Sequence, residues 1–258
     1  MITNKSDLKS LVCETIDAHR NEIIRLGQAI LEKPELGFKE VETARLVAQK
    51  LDGLGLAPRE GLAITGVKAV AKGHVPGPTV AILGEMDALI HYEYPFANPE
   101  TGAAHCCGHN AQVASMLGVA IGLIESGALA HLAGSVAFMA VPAEEFIEIE
   151  YRANLQRLGK IEFLGGKQEL IRLGEFDDVG MAMMVHSSPV QDEIKLGIGG
   201  PGLAFVAKEI QYIGKAAHAG LAPFEGVNAL NAALLGLMAV HVSVRLSLSR
   251  TMSVCIPS

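Results

Sequence analysis

Cysteine is scarce in this sequence of 258 residues, which contains four: Cys13, Cys106, Cys107 and Cys255. Their number and spacing do not fit a disulfide framework, so we interpret the adjacent central pair as reduced thiols that are available for chemistry. Long apolar runs are also missing, because stretches such as residues 114–124 are too short to span a bilayer. The N-terminal residues lack the apolar core of a signal peptide. The sequence therefore predicts a cytoplasmic protein with no membrane partner.

Positive charge is in short supply as well. The chain has 21 lysines and arginines against 28 acidic residues, a formal net charge of −7, and no basic cluster that could follow a phosphate backbone. This balance argues against a nucleic-acid partner and favours a small molecule. Half of the residues are apolar, so the chain is long and apolar enough to bury a substantial core in one large domain or two ordinary ones.

The apolar pattern predicts an α/β fold with a mostly parallel sheet flanked by helices. Helical periods cover residues 8–32, 40–54 and 111–123. Apolar runs predict strands at residues 66–71, 79–83, 135–141 and 180–185. The run at 79–83 is continuous, which is typical of a strand covered on both faces.

Metal-competent side chains follow three of these strands. Asp87 comes after the second strand, Glu144 and Glu145 after the third, and His186 after the fourth. Open α/β sheets bind ligands at the carboxyl ends of their strands, so we expect these side chains to converge. Each signal is weak when taken singly: the glutamate pair could be a solvated helix start, and the histidine could belong to the core or a turn.

A fourth segment, T-G-A-A-H-C-C-G-H-N at residues 101–110, carries a thiol and an imidazole two residues apart. Cys107 and His109 can face a single ion if the backbone turns tightly at Gly108, where a side chain would obstruct the turn. An isolated Cys-Gly-His could equally be structural. Together with the acids and His186, however, it predicts a metal site.

Six motifs carry a family resemblance. They are P-E-L-G-F-K-E, G-E-M-D-A-L, H-C-C-G-H-N, P-A-E-E, V-H-S-S-P and G-K-A-A-H-A-G-L-A-P-F-E-G-V-N-A-L. In order and approximate spacing they resemble the aminoacylase, carboxypeptidase G and auxin-conjugate amidohydrolase metallopeptidases. The similarity covers about residues 7–240 and is strongest to the amidohydrolase branch, whose central motif is H-x-C-G-H-[DN].

The resemblance implies a zinc-peptidase-like catalytic domain interrupted by a small α+β lid, or dimerisation, domain. We expect residues 1–198 to form part of the catalytic domain and residues 199–241 to start the lid, after the linker-like G-I-G-G-P-G. In the lid, the pattern predicts a strand over residues 203–213 and a helix over residues 226–240. It also implies a homodimer for the full-length parent.

The resemblance further implies a role for each site residue. Cys107, His109, Glu145 and His186 would be metal ligands, Glu144 the general base, and Asp87 a carboxylate that orients a ligand. His218 would reach the partner subunit's active site and help to hold the oxyanion, and Asn228 would lie near the substrate. Glu85, which stands where peptidases outside this branch carry a metal-binding histidine, is left outside the ligand set.

The implied reaction is metal-dependent hydrolysis of an amide. Two divalent cations, Zn²⁺ or Mn²⁺, would activate a shared water and polarise the scissile carbonyl, while Glu144 moves the proton. The implied substrates are N-acyl amino acids, dipeptides or p-aminobenzoyl-glutamate-like conjugates. A hydrolase with Cys107 as nucleophile is a weaker alternative, since it would need neither a glutamate pair nor a second histidine.

Two stretches depart from the family pattern. Residues 146–175 are longer than the glycine-rich turn of ordinary members, and residues 242–258 lose the pattern altogether. The second departure predicts a truncated or frameshifted gene product that lacks the last metal-binding histidine, with an authentic short variant as the alternative. We expect such a product not to be a competent hydrolase, although its parent would be. The alternative function is a non-catalytic fragment that retains only metal binding or association through the lid.

Overall fold

The structure is a computed structural model that describes residues 5–187, 197–198 and 210–246, with side chains described as far as residue 242. It divides into two compact units, residues 1–191 and 192–258. The predicted domain boundary at residues 198 and 199 stays a prediction.

Six α-helices belong to the described part of the first unit: α1 (Lys5–Ala18), α2 (Arg20–Leu31), α3 (Val41–Gly53), α4 (His109–Glu125), α5 (Ile149–Arg157) and α6 (Gly166–Arg172). The single helix predicted over residues 8–32 is wrong, because the chain breaks at His19 into α1 and α2. Residues 17–22 offer no large apolar side chain to hold a continuous helix against the core. The ring of His19 instead pairs with Glu22 in the first turn of α2, at 2.9 Å.

Small residues on α4 let both of these helices pack closely against it. A Cβ on Gly118 would lie 3.3 Å from Ile23 of α2, and one on Gly122 would lie 2.6 Å from Ile16 of α1. The break at His19 therefore gives each helix its own contact with α4.

The strands are β1 (Arg59–Leu62), β2 (Gly66–Lys72), β3 (Val75–Glu85), β4 (Leu89–Ile90), β5 (Ala103–Ala104), β6 (Ala133–Val141) and β7 (Met181–Met183). Five of them form one sheet in the order β1-β2-β6-β3-β7, and β4 pairs with β5 separately. β3 is parallel to both β6 and β7, while β2 is antiparallel to its two neighbours. Four of these five strands thus run in one direction, which confirms the predicted mostly parallel sheet.

Helices cover both faces of the sheet. Along β6, Phe138 packs with Leu117 of α4 on one face, whereas the next residue, Met139, packs with Leu155 and Leu170 of α5 and α6 on the other. This alternation follows from the two-residue period of a strand. Each fully buried side chain of this size contributes roughly 1.5–3 kcal/mol of transfer free energy, so the two clusters fix the sheet between its helices.

The register of the sheet places the site. Glu85 at the end of β3 is paired with Val141 at the end of β6, and Met86 N donates to Val141 O at 2.9 Å. The segments after these strands therefore leave the same edge side by side. On the other side of β3, β7 pairs Met183 with Ile82, which brings the chain after β7 to that edge.

In the second unit, α7 (Ala229–Leu246) follows a short 3₁₀ turn at Pro223–Glu225. The predicted helix over 226–240 is present, although it begins later and continues to Leu246. Of the predicted strand over 203–213, residues 203–209 lie outside the described residues, and 210–213 are not in a strand. A strand requires a neighbour, and within this unit's described part the only bridge joins Lys215 to Val227.

None of the helices within the described ranges is both long and apolar enough to cross a membrane.

Candidate metal centre

A tight turn at the start of α4 brings the thiol and two imidazoles together. Gly108 has φ 91°, and a Cβ there would lie 2.4 Å from Ser187 Oγ, so only glycine fits. Ser187 Oγ donates to Cys107 O at 2.7 Å, which fixes the segment after β7 against this turn. As a result, Cys107 Sγ and His186 Nε2 are 3.5 Å apart, and the rings of His109 and His186 meet edge to face at 5.6 Å between centroids.

The ring of His109 has the orientation of a metal-binding imidazole. Its Nδ1 donates to Asp87 O at 2.8 Å, because a carbonyl oxygen can only accept. The Nε2 atom therefore faces the cluster, 3.2 Å from Glu85 Oε2 and 3.9 Å from the nearest carboxylate oxygens of Glu144 and Glu145. This atom is buried and has no hydrogen-bond partner among the described residues, which is the environment a metal ion would complete.

Asp87 connects two loops of the site. Besides its contact with His109, its Oδ2 accepts a hydrogen bond from Glu145 N at 2.9 Å, and its side chain is fully buried. These are the contacts of a residue that orients a ligand. The role expected for Asp87 stays a prediction, with this geometry in its favour.

The loop that carries the glutamate pair is held by two buried residues that the sequence analysis did not single out. Glu40 Oε1 accepts from Ala143 N at 2.7 Å, and its Oε2 accepts from Thr65 Oγ1 at 2.5 Å. Arg152 of α5, with no solvent exposure, donates to Ala143 O at 3.3 Å. Ala143 has φ 48°, an uncommon value for alanine that these contacts maintain. The last letter of the P-E-L-G-F-K-E motif was a signal that could have identified Glu40.

Two groups of side chains could each hold a cation, and they share His109. One consists of Cys107, His109 and His186, the other of Glu85, His109 and Glu144, and the donor atoms of each group lie within 4.8 Å of one another. Six of the eight predicted site residues therefore lie together: Asp87, Cys107, His109, Glu144, Glu145 and His186. Glu85, which the sequence analysis left out of the ligand set, belongs to the second group.

The charges in this cluster favour the binding of a cation. Burial alone would lower the pKa of His109, but the Asp87 and Glu85 carboxylates outweigh it and raise this pKa to about 10. Burial, followed by the Glu145 carboxylate, raises the pKa of Cys107 to about 12. Burial and the Glu85 carboxylate likewise raise the pKa of Glu144. The acids repel one another, and a bound divalent cation would relieve that repulsion and favour the thiolate.

Lys167 is a further charged residue of the site that sequence reasoning missed. Its Nζ forms an ion pair with Glu85 Oε1 and lies 3.7 Å from Glu144 Oε1. Burial would raise the pKa of Glu85, yet His109 and Lys167 together lower it to about 2. Because Lys167 comes from α6, within the long segment of residues 146–175 that departs from the family pattern, no spacing rule pointed to it.

The remaining two predicted site residues, His218 and Asn228, belong to the second unit. His218 Nδ1 accepts from the backbone nitrogens of Gly220 and Leu221, at 3.1 and 3.2 Å. Asn228 Oδ1 accepts from Asn231 N at 3.0 Å, as a helix cap does for α7. Both residues have local structural roles, and their expected functional roles stay predictions.

The donor set fits divalent metal ions. It combines a thiol, two imidazoles and carboxylates, which are the ligands of zinc and related ions. Two buried atoms that face the cluster, His109 Nε2 and Glu145 Oε1, have no hydrogen-bond partner in the described part of the chain. An α/β sheet with such a cluster at the carboxyl ends of its parallel strands defines the chain as a metallopeptidase-like protein.

Comparison with known proteins gives the family. No protein-family model matches the sequence. Among curated proteins, it is 33% identical over 212 residues to thermostable carboxypeptidase 2 of Saccharolobus solfataricus, covering 80% of this chain and 49% of that protein. It is 30% identical over 231 residues to the N-acyl-L-amino acid amidohydrolase of Geobacillus stearothermophilus, covering 88% of this chain and 56% of that protein. The chain thus spans about half the length of these relatives.

Solved structures that resemble this chain point to the same family as the curated relatives. The YXEP protein of Bacillus subtilis, a dinuclear metal-binding peptidase from the M20 family, is 31% identical, with a TM-score of 0.53 over 67% of this chain and 44% of that one. A putative aminohydrolase from methicillin-resistant Staphylococcus aureus is 27% identical, with a TM-score of 0.66 over 94% of this chain and 59% of that one. The chain belongs to the M20 family, which confirms the resemblance seen in its motifs.

Proposed function

We propose that this chain carries the metal centre of a metal-dependent amidohydrolase that cleaves the amide bond of N-acyl amino acids, dipeptides or p-aminobenzoyl-glutamate-like conjugates. The observation that carries the proposal is the convergence of Cys107, His109, His186 and the glutamate pair at one sheet edge. The names of the relatives support the substrate class, since they include an N-acetylcysteine deacetylase of Bacillus subtilis and an N-acyl-L-amino acid amidohydrolase.

Two divalent cations, Zn²⁺ or Mn²⁺, are proposed as the cofactor, with Cys107, His109, Glu145 and His186 as the residues that hold them. When bound, the cations would lower the pKa of a water molecule and polarise the amide carbonyl. The chain's own contribution is to fix the ligands, through Asp87 O on His109 and Ser187 on Cys107.

Glu144 is proposed as the residue that takes a proton from water and passes it to the leaving nitrogen. Its side chain is 35% exposed, whereas that of Glu145 is 17% exposed and has a buried Oε1. The more accessible carboxylate is the one that can reach a substrate, and the more buried one is better placed to hold an ion. A raised pKa, caused by burial and the Glu85 carboxylate, suits a group that must both take and release a proton.

A second candidate is a cysteine hydrolase, because Cys107 Sγ lies 3.5 Å from His186 Nε2. The surroundings of the thiol oppose it. Burial and the neighbouring carboxylates raise the pKa of Cys107 to about 12, whereas a nucleophilic cysteine requires a lowered pKa.

The test is hydrolysis of N-acetyl amino acids, dipeptides and p-aminobenzoyl-glutamate by the purified protein, with bound Zn and Mn measured on the same samples. A complete metal centre should give turnover that chelator removes and added metal restores, whereas a cysteine hydrolase would survive chelator. Metal binding without turnover would favour the non-catalytic alternative. Absence of bound metal would contradict the proposal. A cytoplasmic location, a homodimeric parent and the roles of His218 and Asn228 stay predictions.

A further inference from the structure

Glu85 uses its two carboxylate oxygens in different ways. Its side chain is 1% exposed at the end of β3. One oxygen pairs with the ammonium of Lys167, and the other lies 3.2 Å from His109 Nε2, the buried ring nitrogen that has no hydrogen-bond partner within the described part of the chain. Glu85 therefore stands between a fixed positive charge and an atom that is suited to bind a metal ion.

Lys167 is directed at this carboxylate by the start of α6. Gly166 N donates to Ala143 O at 3.1 Å, and a Cβ on Gly166 would lie 1.8 Å from Pro142 O. The helix thus begins directly against the loop that carries Glu144, and the next side chain, Lys167, reaches the site. Because this side chain is still 31% exposed, it has a path to solvent.

The ammonium and a second divalent cation would need the same two carboxylates. His109 Nε2 can bind only one ion, so a second cation beside it would be held by Glu85 and Glu144. Lys167 already pairs with one of these carboxylates and lies 3.7 Å from the other. Two positive charges at such short range repel each other strongly where water is largely excluded. The ammonium therefore opposes binding of a second cation for as long as Lys167 stays paired with Glu85.

We propose that Lys167 is a positioning residue that competes with the second divalent cation for Glu85 and Glu144, and that this competition sets how tightly that cation is held. The inference rests on the proposed metal centre and adds to it a residue and a carboxylate that the expected ligand set leaves out. Lys167 would thus make the second cation exchangeable, while the group of Cys107, His109 and His186 retains the first.

The test is Mn²⁺ binding by isothermal titration calorimetry, with bound manganese counted by elemental analysis. Lys167→Met should tighten the second, weaker binding event by roughly tenfold or more, since a competing charge is removed. Lys167→Gln serves as a second neutral variant should the first fail to fold, and Lys167→Arg, which keeps the charge, should resemble the unchanged protein. The exposed Lys160, replaced by Met, is the matched control for loss of one positive charge.

A double variant separates competition from a general field effect. If Lys167 acts by occupying Glu85, the gain from Lys167→Met should disappear when Glu85→Gln is also present. A gain that persists in the Glu85→Gln background, or an equal gain from Lys160→Met, would overturn the proposal. Equal affinity for the second Mn²⁺ in the unchanged protein and in Lys167→Met would also overturn the proposal. If one Mn²⁺ binds and Lys167→Met adds nothing, the metal centre stands and this inference fails; if no Mn²⁺ binds to any form, both fail.

Discussion

At the scale of single residues, the site depends on where each donor atom is held. His109 contributes to both candidate cation groups, and its orientation comes from the Asp87 carbonyl. Cys107 and His186 depend on the contact of Ser187 with the Cys107 carbonyl. The two glutamates depend on Ala143, which Glu40 and Arg152 fix from opposite sides. The predictions that follow separate ligands from the residues that support them.

Cys107→Ala should remove bound metal, because the thiolate leaves the ion. Elemental analysis after dialysis measures the metal content. The neighbouring Cys106 is exposed and outside both candidate groups, so Cys106→Ala is the matched control and should retain the metal. Full metal content in Cys107→Ala would contradict its assignment as a ligand.

Glu144→Gln should keep the metal and lower turnover by about 10²–10⁴-fold, since the bound water would lack its base. Glu145→Gln should instead lose metal. The two variants are compared by elemental analysis and by initial rates on one N-acetyl amino acid. The opposite pattern would show that the two glutamates have exchanged roles.

Glu40 gives stability a dependence on pH. Burial and the Asp87 carboxylate raise its pKa from 4.5 to about 7, so the folded protein binds a proton that the unfolded chain has released between these values. Stability should therefore fall as pH rises through this window, with a contribution on the order of 2 kcal/mol. Urea denaturation at pH 5 and pH 8 measures it. Glu40→Gln should flatten this dependence and the exposed Glu42→Gln should not; equal slopes in all three would refute the assignment.

At the scale of elements, apolar patterns predicted most of the first unit. The strands at β2, β3 and β6 and the helix α4 follow directly from runs and periods of buried side chains. The break at His19 was not predicted, because Ile16 and Ile23, seven residues apart, keep the helical period across residues 17–22 although those residues carry no large apolar side chain. β7 is shorter than its apolar run, Met181–Met183 rather than 180–185, since only those residues pair with β3.

The convergence of the site was predictable for a similar reason. Asp87, the glutamate pair and His186 each follow a strand, and parallel neighbours bring their carboxyl ends to one edge. Lys167 and Arg152 were not predictable, because their contacts with Glu85 and Ala143 depend on how α6 and α5 pack. Glu40 lies in a recognisable motif, but its contact with Ala143 joins positions that are 103 residues apart in sequence. Periodicity carries no information about such contacts.

The turn between Cys107 and His109 allows a test at this scale. Gly108→Ala should cost stability, on the order of 1–2 kcal/mol, because of its positive φ, and should also weaken metal binding by displacing Ser187. Gly127 is the matched control: its φ is 71°, but among the described residues no atom beyond its chain neighbours lies within 4 Å of its Cβ position. Thermal unfolding and metal titration of both variants measure the two effects. Equal metal affinity in both would show that the close packing at Gly108 does not matter for the site.

At the scale of the whole molecule, the candidate metal centre is assembled within the first unit. Its described donor atoms come from the ends of β3 and β6, the segment after β7 and the start of α4. Four separate segments thus contribute to one cluster, while the second unit contributes His218 and Asn228 only as predictions. A metal ion would act as a cross-link among these four segments.

Divalent metal should therefore stabilise the folded first unit. A ligand that binds only the folded state at 100 times its Kd adds about 2.7 kcal/mol, so thermal unfolding should shift to higher temperature with Zn²⁺ or Mn²⁺ and return with chelator. Amide exchange should slow at residues 86–88, 107–109, 143–145 and 184–187, because these segments are joined through the ion. His186→Ala is the control that should lose both effects while keeping the four segments otherwise intact. Protection that appears equally in His186→Ala would mean that the ion binds elsewhere on the chain.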